Sequence, residues 1–294
     1  MKYLKKAFCF VICICLLFQQ NLIVSADKET NRIDKESQKK FEYTCLENVT
    51  FPSIEEEQAL IDSMASKEYT DYYYHEAVDF FCSTKIDLGW NRILCVGDSV
   101  TLGVQTGEEE PYPINYPEIL GTLFRTDVEN EGIGGSTIWG SGPFAMCKRI
   151  VDYEPADAVF IMGGTNDWFY GYKCKLGDLN TPITFIYDFN WLCENLKEYY
   201  PNAEIFFIIP MDPAEHMGME PYDDFDIIRN VERNLAASHG FHVIDLPAKH
   251  ILSALDPNVR ESYFSDNCHP NTMGYEILGK IIAYETIRAM YDHQ

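Results

Sequence analysis

Basic residues are scarce in this sequence: 23 lysines and arginines stand against 46 aspartates and glutamates, a formal net charge of −23 over 294 residues. A surface so negative is repelled by nucleic acid and by anionic bilayers, so we expect neither as a partner. The sequence also has no Cys-x-x-Cys pair, which disfavours a zinc site built from cysteine. We therefore expect no metal.

Two enzyme fingerprints are missing as well. No Gly-x-Gly-x-x-Gly stretch joins a predicted strand to a predicted helix, which argues against a dinucleotide cofactor. The Gly-x-Ser-x-Gly elbow of the α/β-hydrolases fails at Gly97-Asp98-Ser99, because threonine stands at position 101 where that turn needs glycine. No cofactor is expected, and a serine enzyme would need a different fold.

The apolar run near the N-terminus, residues 7–18, is shorter than the roughly 18 residues that a membrane-spanning helix needs. It follows three lysines and precedes the small residues Val24-Ser25-Ala26, the pattern of a secretory signal peptide over residues 1–26. We expect cleavage there, secretion, and no stable membrane insertion afterwards. An uncleaved signal anchor at the membrane is the alternative.

Three of the ten cysteines, Cys9, Cys13 and Cys15, lie in the predicted signal peptide. Seven remain, an odd number, so at least one is unpaired within the chain. Export permits disulfides, but the spacing of the cysteines does not give their connectivity.

Residues 27–90 form a predicted N-terminal extension. Residues 27–52 are polar and lack periodic apolar positions, so we expect a poorly ordered lead. Ser53 and Glu56 fit a helix capping box, and the apolar residues that follow predict helices packed on the main domain. No candidate catalytic group lies before Asp87, so we expect this segment to matter for stability and not for chemistry.

Residues 91–294 alternate short apolar runs with amphipathic stretches. Spacings of three or four between apolar residues predict helices, the last of them over 275–291. Short apolar strands alternating with such helices predict an α/β domain, with a parallel sheet covered by helices on both faces. The predicted strands are 93–96, 126–129, 158–162, 204–209 and 242–245.

Ser99 follows the first predicted strand and a glycine, Gly97, at which the backbone can turn sharply. Ligands of open α/β sheets bind at the C-terminal ends of the strands, and this position suits a nucleophile. Among seven histidines, His269 is the candidate base because Asp266 precedes it by three residues. Asp266 can accept the imidazole N–H and fix its tautomer, so that His269 removes the serine proton. We assign Asp98 to bracing the loop.

An acyl-transfer serine also needs hydrogen-bond donors for the tetrahedral oxyanion. Two glycine-rich stretches, 130–137 and 163–167, follow predicted strands, where such donors should lie. The candidate donors are the backbone N–H groups of Ser99 and Gly135 and the side-chain amide of Asn166.

The four stretches together resemble the SGNH (GDSL-type) hydrolase family, in family order, from about residue 93 to about residue 275. The matching blocks are Gly97-Asp98-Ser99, Gly135, Gly164-Thr165-Asn166-Asp167, and Asp266 with His269. The resemblance implies a three-layer α/β/α sandwich around a flavodoxin-like, five-stranded parallel sheet of order 2-1-3-4-5. It also implies that Ser99 is the nucleophile and Asn166 a side-chain donor.

These residues and the resemblance predict a secreted serine esterase, a carboxylic ester hydrolase. Trp139 and Trp168 flank the two donor loops, and an aromatic face can stack on a sugar ring, so we expect small acyl esters, above all acetyl esters on carbohydrate. The same rings are equally typical of core packing. The alternatives are a lipase or lysophospholipase, an acyltransferase of the same fold, and a binding protein whose triad has been lost.

Overall fold

The computed structural model describes residues 50–141, 144–170, 175–214 and 224–292. The predicted signal peptide and nearly all of the polar lead lie outside these residues, as do Cys45 and Cys174. Five cysteines fall inside them, and all five are free thiols. In this described part of the chain, no helix combines the length and the apolar character that crossing a membrane requires.

A five-stranded sheet, with every pair of neighbours parallel, forms the centre of the domain. Numbered along the chain, its strands lie in the order 2-1-3-4-5, which confirms the predicted α/β fold. The central strands are almost entirely apolar because helices cover both of their faces. The strands are β1 (Arg92–Gly97), β2 (Asp127–Gly132), β3 (Ala158–Met162), β4 (Glu204–Ile209) and β5 (His242–Asp245).

The second strand differs from its prediction. It starts one residue later than predicted and continues to Gly132, three residues further, where it pairs with Gly97 of β1. Apart from Val128 and Gly132 its residues are polar, and most are half-buried, since β2 lies at the edge of the sheet. Apolar periodicity therefore could not define its end, which is set by backbone pairing with β1. The glycine-rich loop consequently begins at Ile133.

Helices pack on both faces of the sheet. The helices are α1 (Ile54–Ser63), α2 (Ser66–Ser83), α3 (Ser99–Leu102), α4 (Tyr116–Phe124), α5 (Met146–Arg149), α6 (Thr165–Phe169), α7 (Phe185–Tyr199), α8 (Phe225–Ser238), α9 (Pro257–Tyr263) and α10 (Thr272–Asp292). On one face, α10 packs against α4 and α2; on the other, α7 contacts both α5 and α8.

The described part of the extension is helical and packs on the domain. The predicted capping box is present, since Ser53 and Glu56 bond to each other's backbone N–H groups. Buried Glu57 accepts hydrogen bonds from Lys249 (2.7 Å) and Arg288 (2.6 Å). Burial acts to raise the pKa of Glu57, but the bonds from these two cations hold it below its ordinary value. The first helix is thus joined to α10 by ionised groups shielded from water.

Candidate active site

Ser99 lies at the point where β1 turns into α3. A side chain at Gly97 would place its Cβ 1.9 Å from Thr101 Oγ1, so only glycine allows this close turn. Asp98 caps the helix, because its Oδ1 accepts the Val100 N–H at 2.9 Å. The backbone N–H of Ser99, the first helical residue, has no partner within the helix. Asp98 thus braces the loop, as the sequence predicts, and Ser99 stands at the C-terminal edge of the sheet.

Ser99, His269 and Asp266 form a continuous hydrogen-bonded relay. The Ser99 Oγ lies 2.9 Å from His269 Nε2, and His269 Nδ1 lies 2.8 Å from Asp266 Oδ2. These are hydrogen-bond distances, within the reach required of a general base and its nucleophile. The structure therefore brings together the three residues that the sequence predicts as nucleophile, base and orienting acid.

Asp266 keeps its negative charge in this environment. Its Oδ1 accepts the backbone N–H groups of Cys268 and His269, and its Oδ2 accepts the hydroxyl of Thr106 at 2.5 Å. Burial acts to raise the pKa of Asp266, but the hydrogen bonds from His269 and Thr106 hold it well below its ordinary value. An ionised carboxylate at Nδ1 favours the tautomer that leaves the Nε2 lone pair facing Ser99.

Residues 263–271 form a short hairpin, here called the acid–base hairpin, with Asp266 and His269 near its tip. At its base, the Tyr263 carbonyl accepts the Asn271 N–H at 2.9 Å. Phe264 and Pro270 then form an antiparallel bridge. Closer to the tip, the His269 carbonyl accepts the N–H of Ser265 at 2.8 Å. These backbone hydrogen bonds fix the path of the chain between Asp266 and His269.

Asn166 lies beside the nucleophile loop. Its side chain is 8% exposed, and its Nδ2 donates to the Ser136 carbonyl at 3.0 Å and lies 3.5 Å from Asp98 Oδ2. Asn166 therefore contacts Asp98 in the nucleophile loop and Ser136 in the glycine loop. Gly135 is exposed and has a φ of +74°, a left-handed conformation that favours glycine. Nucleophile loop, glycine loop and amide side chain are thus brought to one edge of the sheet.

Asp167 positions the glycine loop, a role that the sequence analysis did not assign. It is fully buried, and it accepts the backbone N–H groups of Ile138 at 2.9 Å and Trp139 at 2.8 Å. Burial raises the pKa of Asp167 to about 7, although these N–H groups act in the opposite direction. The sequence feature that could have predicted this role is the position of Asp167 directly after the proposed donor Asn166.

Arg149 is a second positioning residue that sequence reasoning missed. This buried guanidinium donates to the carbonyls of Gly97 (2.7 Å) and Glu131 (2.6 Å), at the ends of the two neighbouring strands. It also lies 3.3 Å from the Ser136 hydroxyl. No local pattern indicated this role, since Arg149 directly follows another basic residue, Lys148, in the short helix α5.

The two tryptophans predicted to contact substrate pack on the same core cluster, in which both are partly buried. The Trp139 indole N–H donates to the Ile183 carbonyl at 2.9 Å. Trp168 stacks on Phe225 with ring centroids 4.9 Å apart and planes 15° apart. One face of Trp168 is therefore covered by protein. Contact of either ring with a substrate stays a prediction.

A family model described as GDSL-like lipase/acylhydrolase matches residues 95–277. One solved structure is 25% identical and has a TM-score of 0.61, covering 67% of this chain and 96% of its own. A protein from Lactobacillus plantarum is 21% identical, with a TM-score of 0.57 and coverages of 71% and 99%. The inhibitor-bound aryl esterase of M. smegmatis is 19% identical, with a TM-score of 0.52 and coverages of 68% and 99%. These last two show the fold alone. No protein of curated function matches the sequence.

Proposed function

Since the chain belongs to the GDSL-like lipase/acylhydrolase family and is a carboxylic ester hydrolase, we propose that Ser99 is its nucleophile. In this proposal His269 is the general base and Asp266 orients it. The observation that carries the proposal is the relay itself, 2.9 Å from Ser99 to His269 and 2.8 Å from His269 to Asp266.

The reaction follows from these positions. Ser99 Oγ attacks the acyl carbon while His269 Nε2 takes its proton, and the carbonyl oxygen becomes an oxyanion. The N–H groups of Ser99 and Gly135 and the Asn166 amide stabilise that charge. His269 returns the proton to the departing alcohol, which leaves an acyl-serine. Water then attacks this ester, with His269 as base again, to release the acid and restore Ser99.

We assign short acyl groups, above all acetyl groups on carbohydrate, to the substrate. A small cavity with room for about one water molecule is lined by the chain neighbours of Ser99 and His269, so there is little space for a long acyl chain there. Its lining includes Val100, Cys268, Met162 and Met211. The acidic character of the chain adds support, because it disfavours approach to anionic bilayers. We also propose secretion, on the basis of the signal-like pattern over residues 1–26.

The nucleophile is tested with p-nitrophenyl acetate and purified protein. We expect Ser99→Ala and His269→Ala each to lower kcat by at least about 10³-fold. Ser238→Ala, at the exposed end of α8, is the matched control and should leave kcat unchanged. Labelling with an organophosphate, followed by peptide mass analysis, should place the adduct on Ser99. Adducts elsewhere, or an active Ser99→Ala variant, would remove this serine from the mechanism.

The substrate class is tested by chain length and by tryptophan substitution. Acetyl esters should be hydrolysed faster than octanoyl esters, and Trp139→Ala or Trp168→Ala should raise KM for acetylated xylan. Trp191→Ala is the control, since Trp191 packs on the same core cluster but lies on α7. Faster turnover of octanoyl esters, with acetyl-sugar turnover unaffected by Trp168→Ala, would indicate a lipolytic enzyme instead.

A further inference from the structure

The second helix of the N-terminal extension contacts the acid–base hairpin at its base. Lys67 Nζ lies 2.9 Å from the Tyr263 hydroxyl and 2.8 Å from Asp71 Oδ2. The Tyr263 hydroxyl in turn donates to Asp71. The Lys67 ammonium group also lies 4.9 Å from the centre of the Tyr263 ring. The three side chains form one cluster, in which two residues of α2 hold a single tyrosine.

Tyr263 is the residue through which this contact reaches the catalytic groups. Its side chain is 8% exposed, and its carbonyl closes the hairpin by accepting the Asn271 N–H. A Cβ on Gly274 would lie 2.1 Å from the same carbonyl, so the start of α10 also packs directly on it. Both legs of the hairpin are therefore fixed relative to Tyr263.

The tip of the hairpin is held by the α/β domain instead. Thr106 bonds to the Asp266 carboxylate, and the Asn267 carbonyl accepts the Ala214 N–H at 2.7 Å. At the base, the Tyr263 side chain is bonded to Lys67 and Asp71 of α2. The hairpin is thus held both by the α/β domain and by a helix outside residues 95–277, the span that matches the family.

We propose that Lys67 and Asp71 are positioning residues of the esterase: by fixing Tyr263, they set the placement of His269 against Ser99. This inference rests on the proposed function of Ser99 and His269. It replaces the expectation that the segment before Asp87 contributes only stability. The contacts of Lys67 and Asp71 with Tyr263, here called the brace, then join the extension to the acid–base hairpin.

The solvent exposure of Lys67 and Asp71 determines whether the brace contributes mainly to folding stability or to the catalytic rate. The side chains of Lys67 and Asp71 are 34% and 39% exposed, and ion pairs so accessible to water contribute little to folding stability. Catalysis is far more sensitive to position, since a displacement of about 1 Å can cost about 10²-fold in rate. Loss of the brace should therefore lower kcat and leave the melting temperature nearly unchanged.

The test compares the variants Lys67→Met and Tyr263→Phe with a matched control, all in the full protein. We expect Lys67→Met and Tyr263→Phe each to lower kcat for p-nitrophenyl acetate about tenfold, with KM unchanged. The downfield NMR signal of the His269 Nδ1 proton should shift or broaden in both. Lys67→Arg should restore most of the lost kcat.

Lys280→Met is the control. Lys280 pairs with Glu276 at 2.7 Å and lies 5.4 Å from the centre of the Tyr74 ring. Like the cluster around Lys67, this group joins α2 to a neighbouring element through a lysine, an acidic residue and a tyrosine. It has no contact with the hairpin among those described, and we expect its kcat to stay within about twofold of wild type.

Two results would overturn this proposal. One is a kcat of Lys67→Met equal to that of Lys280→Met. The other is a loss of kcat in each variant that is fully explained by the fraction of unfolded protein. If Tyr263→Phe does not fold, Lys67→Met decides alone. The triad is judged separately. Retained activity in Ser99→Ala and His269→Ala would reject the proposed function, whereas their inactivity beside a fully active Lys67→Met would reject only the brace.

Discussion

The proposed oxyanion side of the site, formed by the loops after β2 and β3, is held by buried groups of the α/β domain, whereas the acid–base hairpin is held partly from the extension. Arg149 and Asp167 are 4% and 0% exposed. Lys67 and Asp71 are each about one third exposed. Losing a partner of a buried polar group is costly, while a half-exposed ion pair adds little stability. Substitutions should therefore affect folding and rate together on one side, and chiefly rate on the other.

The largest expected effect is on the hairpin side. Asp266→Asn should lower kcat about 10⁴-fold, because the histidine loses the carboxylate that fixes its tautomer. Asp256→Asn, at the cap of α9, is the control and should leave kcat within about twofold. Steady-state kinetics with p-nitrophenyl acetate measures both. An Asp266→Asn variant with a kcat near wild type would show that this carboxylate does not orient the base.

On the oxyanion side, Asn166→Ala should still fold, with a lower free energy of unfolding, and should lower kcat by about 10²–10³-fold, the cost of removing one oxyanion donor. Circular dichroism checks the fold and single-turnover kinetics measures the acylation rate. Asn258→Ala, in the exposed first turn of α9, serves as the control. Turnover near wild type in a folded Asn166→Ala protein would remove this amide from the mechanism.

Arg149→Met tests whether buried groups hold the oxyanion side. The substitution removes two buried hydrogen bonds from a charged donor, to the Gly97 and Glu131 carbonyls, and such bonds contribute about 1.5–3 kcal/mol each. We therefore expect the free energy of unfolding to fall by about 3 kcal/mol. Arg92→Met removes a half-exposed ion pair with Glu129 at the other end of β1 and should cost less than about 1 kcal/mol. Urea unfolding compares the two. Equal losses would contradict the contrast drawn between buried and exposed supports.

The last expected effect is on the pH dependence of stability, where the two sides should act in opposite directions. Burial raises the pKa of Asp167 to about 7 in the folded protein, above its ordinary value of 3.8. The folded state therefore binds more protons than the unfolded state between these values, and the contribution of Asp167 to stability declines as the pH rises from about 4 to about 7. Asp266, whose pKa is lowered, contributes stability that is lost as the pH falls.

Asp167→Asn should accordingly flatten the decline in unfolding free energy between about pH 4.5 and 7, by up to about 1.4 kcal/mol per pH unit. Urea unfolding at several pH values measures this slope. Asp62→Asn, on the exposed face of α1, is the control and should leave the slope unchanged. A slope that Asp167→Asn does not alter would mean that Asp167 does not carry the linked proton.

Much of the site could be predicted because its signals are local in sequence. Three of the five strands have the predicted bounds, since each is a short apolar run covered on both faces or bounded by polar turns. Asp266 and His269 lie three residues apart in one hairpin, so their pairing follows from the chain itself. The end of β2 was missed because an edge strand with polar side chains has no apolar period.

The sequence by itself determined the parallel sheet, the turn that presents Ser99, and the spacing of Asp266 and His269, because apolar runs, glycines and short-range partners act within a few residues. Only the tertiary structure decided what supports them. Arg149 bonds to the Gly97 carbonyl 52 residues away, and Lys67 bonds to Tyr263 across 196 residues. Such partners are chosen by which helices pack together in three dimensions, and no spacing along the chain encodes that choice.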